Sequence, residues 1–222
     1  MMKTYVSSDW HGGSEHADYS KIYKFIDIAE RDADQVILLG DIFDMWRYPL
    51  NSLDAIDRDK VLTLAQRILD LSTKVPVILI PGNHDYTLDS VWGFNQGEYP
   101  NMIITGPYID KGIYYTHGWE YDIQQYPLSN LYWLFPHILP YLYQMFARKP
   151  SEILQRSDNP SDSIRRIHEN AQLDANERGV QYVMMGHTHI PGIEGNVIDA
   201  GDMVDSGSYV IIEDGVPRIM YV

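Results

Sequence analysis

Five short stretches of this 222-residue chain combine residue types that hold divalent cations. They are Asp9-Trp10-His11, Gly40-Asp41-Ile42-Phe43-Asp44, Gly82-Asn83-His84-Asp85, His117-Gly118 and Gly186-His187-Thr188-His189. Carboxylate oxygens, a neutral amide oxygen and imidazole nitrogens suit manganese, iron, nickel, cobalt or zinc, and the chemistry such ions supply is Lewis-acid activation of water. The chain has no cysteine, which excludes thiolate metal sites, disulfides and cysteine nucleophiles together.

Singly, the stretches differ in weight. An Asp–His pair after a strand is commonly a helix cap beside a surface histidine, and Gly-Asp is a common turn. Gly-Asn-His-Asp says more, because three polar residues directly after an apolar run suit a site better than a plain loop. Gly-His-Thr-His says most: two histidines at i and i+2 of a strand end point the same way. In this order and spacing, the five together indicate a metal cluster built from Asp9, His11, Asp41, Asn83, His117, His187 and His189.

The elements that must position them read as alternating strands and helices. Thr4–Ser7, Gln35–Leu39 and Val75–Ile80 are β-prone runs. Helical spacing marks Ala17–Arg31 and Leu53–Leu71, the latter with Ile56, Val61, Leu64, Ala65, Ile68 and Leu71 on one face. Continuous Val/Ile/Leu runs between amphipathic helices predict a buried, largely parallel sheet, whose strand ends converge on one rim. Further strands are expected at Tyr182–Met185, Val197–Ala200, Tyr209–Glu213 and Pro217–Val222, with a hairpin through Glu213-Asp214-Gly215. A βαβ half thus precedes a β-rich half. Between them, Tyr121–Lys149 is rich in Tyr, Trp, Phe and Leu and is broken by Pro136 and Pro140.

The formal charge is −14, from 31 acidic and 17 basic residues. Such a surface repels polyanions and disfavours nucleic acid as a partner. No run of about twenty apolar residues is present, and the N-terminus lacks the pattern of a signal peptide, so a cytoplasmic location is expected.

The series D-x-H, G-D-x-x-D, G-N-H-D, H-G and G-H-T-H, spread from Asp9 to His189, resembles the calcineurin-like metallophosphoesterase superfamily. The resemblance implies an α/β fold: a four-layer α/β/β/α sandwich over residues 1–222, carrying two metals, manganese foremost, at the sheet edge. Asp9, His11, Asp41 and His189 would hold one ion, and Asp41, Asn83, His117 and His187 the other, with Asp41 bridging. Two ions about 3.5–4 Å apart share a hydroxide that attacks phosphorus, while the metals offset the growing charge. By the same resemblance His84 is a general acid for the leaving oxygen, its ring held by Asp85. Asp44 and Asp122 are candidates for orienting roles; His16, His137 and His168 match no motif position.

Within the superfamily, Gly40–Trp46 looks like the branch that includes UDP-2,3-diacylglucosamine diphosphatases. That branch has a helical insertion gripping acyl chains, and the aromatic segment, with an insertion placed at about residues 121–180, falls in the matching interval. One position departs: those enzymes carry arginine where this chain has His84. The expected activity is therefore hydrolysis of a phosphodiester or pyrophosphate, with a small phosphoester or lipid-linked, nucleotide-diphosphate substrate. Alternatives are a phosphomonoesterase, a nuclease or a protein phosphatase of the same fold, and a non-enzymatic metal-binding scaffold. The aromatic insertion would grip lipid at a membrane surface, act as a lid, or join two subunits in a homodimer.

Overall fold

A computed structural model describes residues 2–45, 53–86, 99–123 and 160–222, apart from the side chains of Ile56, Pro160 and Ser161. In chain order the elements are β1 (Lys3–Ser7), α1 (Tyr19–Asp32), β2 (Gln35–Leu38), α2 (Ala55–Ser72), β3 (Val77–Leu79), β4 (Met102–Ile104), β5 (Tyr108–Asp110) and β6 (Ile113–Tyr115). Then follow α3 (Trp119–Ile123), α4 (Pro160–Arg178), β7 (Tyr182–Met185), β8 (Gly192–Glu194), β9 (Val197–Asp199), β10 (Ser208–Glu213) and β11 (Val216–Tyr221).

Each early helix begins where an aspartate can accept from free backbone amides. Asp18 accepts from the amides of Ser20 and Lys21 at the start of α1, and Asp54 accepts from Asp57 at the start of α2. On α1, Ile22, Phe25, Ile26 and Ala29 fall on one stripe and are buried.

Six strands form one sheet in the order β11-β10-β1-β2-β3-β4, and five form a second in the order β5-β6-β7-β9-β8. From β1 to β4 the first sheet is parallel. Alternation along β2 shows why two sheets face each other. Val36 and Leu38 point to the side of Phe25, Ile26, Leu64 and Ile68 on the helices. Ile37 and Leu39 point the other way, into a layer with Val6, Ile80, Tyr115, Met184 and Ile198 between the sheets. On the far face of the second sheet, Val183, Met185 and Val197 pack on Ile167, Ala171 and Ala175 of α4. The order is helices, sheet, sheet, helices.

The β-rich tail is not a separate half. β7, β8 and β9 belong to the second sheet, whereas the β10–β11 hairpin returns to the first and pairs antiparallel with β1, Lys3 facing Glu213. Glu213 pairs with Val216, leaving Asp214-Gly215 as a two-residue loop with φ of 53° and 77°, as a type I′ turn requires. Residues 160–178 form the outer helix over the second sheet. Residues 124–159, and with them most of the expected aromatic insertion and His137, lie outside the described residues. Among the described residues, no helix is long and apolar enough to cross a membrane.

Candidate metal centre

Every candidate ligand follows a strand end at one rim. Asp9 and His11 come after β1, Asp41 after β2, Asn83 after β3, His117 after β6, and His187 and His189 after β7. The first two turns are locked together by backbone bonds: Asp9 N–H donates to Gly40 O (3.1 Å), and the amides of Trp10 and His11 both donate to Asp41 O (2.9 Å each). Within the second sheet the Gly186 amide donates to His117 O at 2.9 Å, and across the sheets the His187 amide donates to Asp9 Oδ2 at 2.9 Å.

These turns are built at a conformational cost. Asp9 (φ 54°), His11 (49°), Asp41 (52°), His187 (73°) and His189 (62°) all occupy the left-handed region that glycine favours. A non-glycine residue there costs about 1–3 kcal/mol and persists only where the surroundings over-determine it. Gly82 is needed for a different reason, close approach. A Cβ on it would collide with the Asp41 carboxylate and lie 2.7 Å from the Asp41 backbone nitrogen and 2.9 Å from the His117 ring.

The side chains converge. His11 Nε2 and His189 Nε2 are 3.2 Å apart, and Asp9 Oδ1 lies 3.1 Å from His189 Nε2 and 3.7 Å from His11 Nε2. Asp41 Oδ2 lies 3.4 Å from His117 Nε2, and Asn83 Oδ1 lies 3.1 Å from the same nitrogen. The His187 ring sits 5.2 Å from that of His117, and its Nε2 is 3.6 Å from Asp122 Oδ2. All seven candidate ligands are thus brought to one place.

Three clusters here have the donor spacing of a cation site: Asp9–His11–His189, Asp9–Asp41–His117 and His11–Asp41–His84. The donor set fits divalent ions on two further observations. Asp9 Oδ1 is buried and makes no hydrogen bond among the described residues. The His117 Nδ1–H donates to Leu39 O at 2.6 Å, so that in the neutral ring the Nε2 lone pair is the one that faces Asp41 and Asn83.

The electrostatics follow from crowding carboxylates and imidazoles in a dry space. Burial works against charge on His11, yet Asp44, Asp9 and Asp41 outweigh it and raise its pKa to about 9. Burial likewise opposes charge on His117 and His189, and their carboxylate neighbours lift them to about 10 and about 11. Burial tends to raise Asp9 and Asp41 as well, but the histidines hold both below the ordinary carboxylate range. Proton or metal, the cluster demands positive charge at its centre.

The partner of His84 corrects one expectation. Its Nδ1 meets Asp44 Oδ1 at 2.7 Å, and Asp85 does not hold the ring. Asp85 instead accepts from the backbone amides of Gly82 (2.7 Å), Ile42 (2.8 Å), Asp41 (3.2 Å) and Phe43 (3.3 Å), stitching two ligand turns together. Fully buried and beside Asp41, it has its pKa pushed up to about 6. The physical reason is direction: neighbouring residues on a tight turn point apart, so Asp85 faces the backbone while His84 faces the cluster. The amide of His84 donates to Asp41 Oδ1 at 2.8 Å, and its Nε2 is 3.8 Å from Asp41 Oδ2.

Sequence reasoning missed Ser8, Asp199 and Asp202. Ser8 Oγ donates to Asp9 Oδ2 at 2.5 Å. Asp202 Oδ2 lies 3.3 Å from His189 Nδ1, a carboxylate orienting a candidate ligand from behind. A signal for Asp202 was present: Gly201-Asp202 follows the β-prone stretch Val197–Ala200, as Gly40-Asp41 follows Gln35–Leu39. His16 is exposed, 3.7 Å from Glu15.

The likenesses to known proteins agree with this geometry. Over 97% of the chain it is 25% identical to a UDP-2,3-diacylglucosamine hydrolase of Shewanella sp. (strain MR-4), covering 96% of that protein. A protein of the same name from Shewanella halifaxensis (strain HAW-EB4) is 24% identical over 95% of this chain and 94% of its own. An archaeal phosphodiesterase of known structure shares the fold, with a TM-score of 0.55 at 17% identity and full coverage of both chains. The sequence profile of the calcineurin-like phosphoesterases matches residues 2–191, so this chain belongs to that family and is a metal-dependent phosphoesterase.

Proposed function

We propose that this chain hydrolyses a phosphodiester or pyrophosphate bond at a centre of two divalent ions, manganese being the first to test. Asp9, His11, Asp41 and His189 would hold one ion, and Asp41, Asn83, His117 and His187 the other. The observation that carries this reading is the convergence of the His11 and His189 Nε2 atoms, 3.2 Å apart, on the buried Asp9 Oδ1, which lies 3.1 Å from His189 Nε2. Two imidazole nitrogens and a carboxylate oxygen facing one point call for positive charge among them, supplied by protons or by a metal ion.

When bound, such ions supply Lewis acidity toward phosphoryl oxygens and lower the pKa of water. The chain's own residues do the rest. Asp41, tied to the His84 amide and facing His117, holds the middle of the cluster. His84, oriented by Asp44, stands at the rim and delivers a proton to the departing oxygen.

For the substrate, the relatives' name points to a nucleotide-diphosphate lipid, and the aromatic content of residues 121–146 is in keeping with an acyl chain. His84 in place of that branch's arginine favours a broader diesterase. A homodimer joined through that segment is part of the same proposal. The test is a Mn²⁺-supplemented screen of bis-p-nitrophenyl phosphate, p-nitrophenyl phosphate and a UDP-linked diacyl sugar. Turnover of the diester or the pyrophosphate, abolished by Asn83→Ala and His187→Ala, is expected. No turnover of any of the three would overturn it.

A further inference from the structure

The turn that carries His187 and His189 is held from behind by residues outside the ligand set. Asp199, the last residue of β9, is fully buried and lies beside the end of β7, where Met185 is its register partner. Its Oδ1 accepts from the Gly201 amide at 2.9 Å, and its Oδ2 accepts from the Thr188 hydroxyl at 2.7 Å. The same Oδ2 lies 3.4 Å from Nε2 of His168, on α4, whose other ring nitrogen is 3.2 Å from Glu194 on β8. The Thr188 hydroxyl also accepts from the Ile190 amide at 3.1 Å, so one side chain ties both ends of the turn.

We propose that Thr188, Asp199 and His168 form a brace that sets the aim of His187 and His189: positioning residues, not ligands. A buried carboxylate is expensive unless its oxygens are filled. At the end of β9 an apolar residue would pack at lower cost, and the carboxylate is used instead to grip the one residue between two histidines. Those histidines have φ of 73° and 62°, a backbone that relaxes unless something holds it. Thr188 sits between the two histidines with its hydroxyl on the buried Asp199 carboxylate, which makes it the natural handle. The brace also runs sideways: through His168 it fastens α4, and through Glu194 it reaches β8, so three elements set the position of one turn.

The proposal rests on His187 and His189 being metal ligands, and the experiment separates the two ideas. Mn²⁺ affinity is measured by calorimetry and by electron paramagnetic resonance, at a temperature where circular dichroism shows each variant folded. Wild type should bind two Mn²⁺ ions, and His187→Ala should lose one of them; failure of either overturns the ligand reading and the brace with it. Thr188→Val, which keeps the shape and removes the hydroxyl, should weaken Mn²⁺ binding about 10–100-fold, the range for residues that orient ligands. Thr188→Ser should restore it. His168→Gln should weaken binding too, and His168→Gln with Thr188→Val should lose little more than the stronger single change, because both act through Asp199. Wild-type Mn²⁺ affinity in Thr188→Val and His168→Gln, with His187→Ala short of one ion, would overturn the brace alone. Fully additive losses would overturn the shared path through Asp199.

Discussion

Asp44 reaches across 40 residues of chain to place its Oδ1 2.7 Å from Nδ1 of His84, and its Oδ2 stands 3.7 Å from Nδ1 of His11. One carboxylate therefore faces both the candidate proton donor and a candidate ligand. Burial raises its pKa while the two histidines lower it, and the histidines win, so Asp44 stays ionised. Asp44→Asn is expected to lower turnover about 10–100-fold. Steady-state kinetics alongside metal analysis check this: a rate unchanged at full metal occupancy would remove Asp44 from the mechanism.

Asp85 should behave differently. It satisfies four backbone amides in the two ligand turns, so Asp85→Ala strands buried donors and destabilises the fold by about 1–3 kcal/mol. Thermal unfolding of the metal-free protein reads this directly. A melting temperature equal to wild type would contradict the structural role.

Metal binding should release protons. In the metal-free protein the His11, His117 and His189 pKa values are raised to about 9, 10 and 11, so these rings carry protons at neutral pH. Ligation needs them neutral, hence apparent affinity climbs as pH rises from 7 toward 9. The same shifts have a stability consequence. A histidine with a raised folded pKa stabilises fully below its unfolded value of about 6.5, and that contribution is lost as pH passes through the folded values. Metal-free protein should therefore melt at lower temperature as pH climbs from about 6.5 past 9, and saturating metal should blunt the trend. Calorimetry in buffers of different ionisation enthalpy counts the protons; none released would refute the argument.

Gly82→Ala should abolish metal binding with modest effect on secondary structure. The added Cβ must displace the Asp41 carboxylate or the His117 ring, both inside the cluster. Metal content of the purified variant and its circular dichroism decide the matter, and a metal-replete Gly82→Ala protein would be the contrary result.

Much of this architecture was legible because pattern and chemistry agreed. The stripe Ile22, Phe25, Ile26 and Ala29 announced α1, and Asp214-Gly215 announced the last hairpin, each from a local rule that nothing overrode. The cluster was legible because its residues sit in motifs at strand ends. What sequence could not give were the three-residue strands β4, β5, β6 and β8, too short to show a period. The placement of β10 beside β1 was also hidden, since strand pairing over so long a separation leaves no local mark. Nor does sequence give the direction of a side chain on a tight turn, which is why adjacency points to Asp85 as the partner of His84 while the structure places Asp44 there.

The return of β10 to β1 orders events during synthesis. Val6, three residues ahead of Asp9, is paired with Val210, and the Met203 amide donates to the Asp9 carbonyl at 3.2 Å. A nascent chain holding only its first ninety residues already owns Asp9, His11, Asp41 and Asn83, yet β1 still has an open edge. Because contacts so distant in sequence form late, the cation-binding pocket is completed only after β10 has zipped onto β1. Removing β10 and β11 should thus loosen β1 and the Asp9–His11 turn that follows it, and metal supplied during folding would act on a nearly finished molecule.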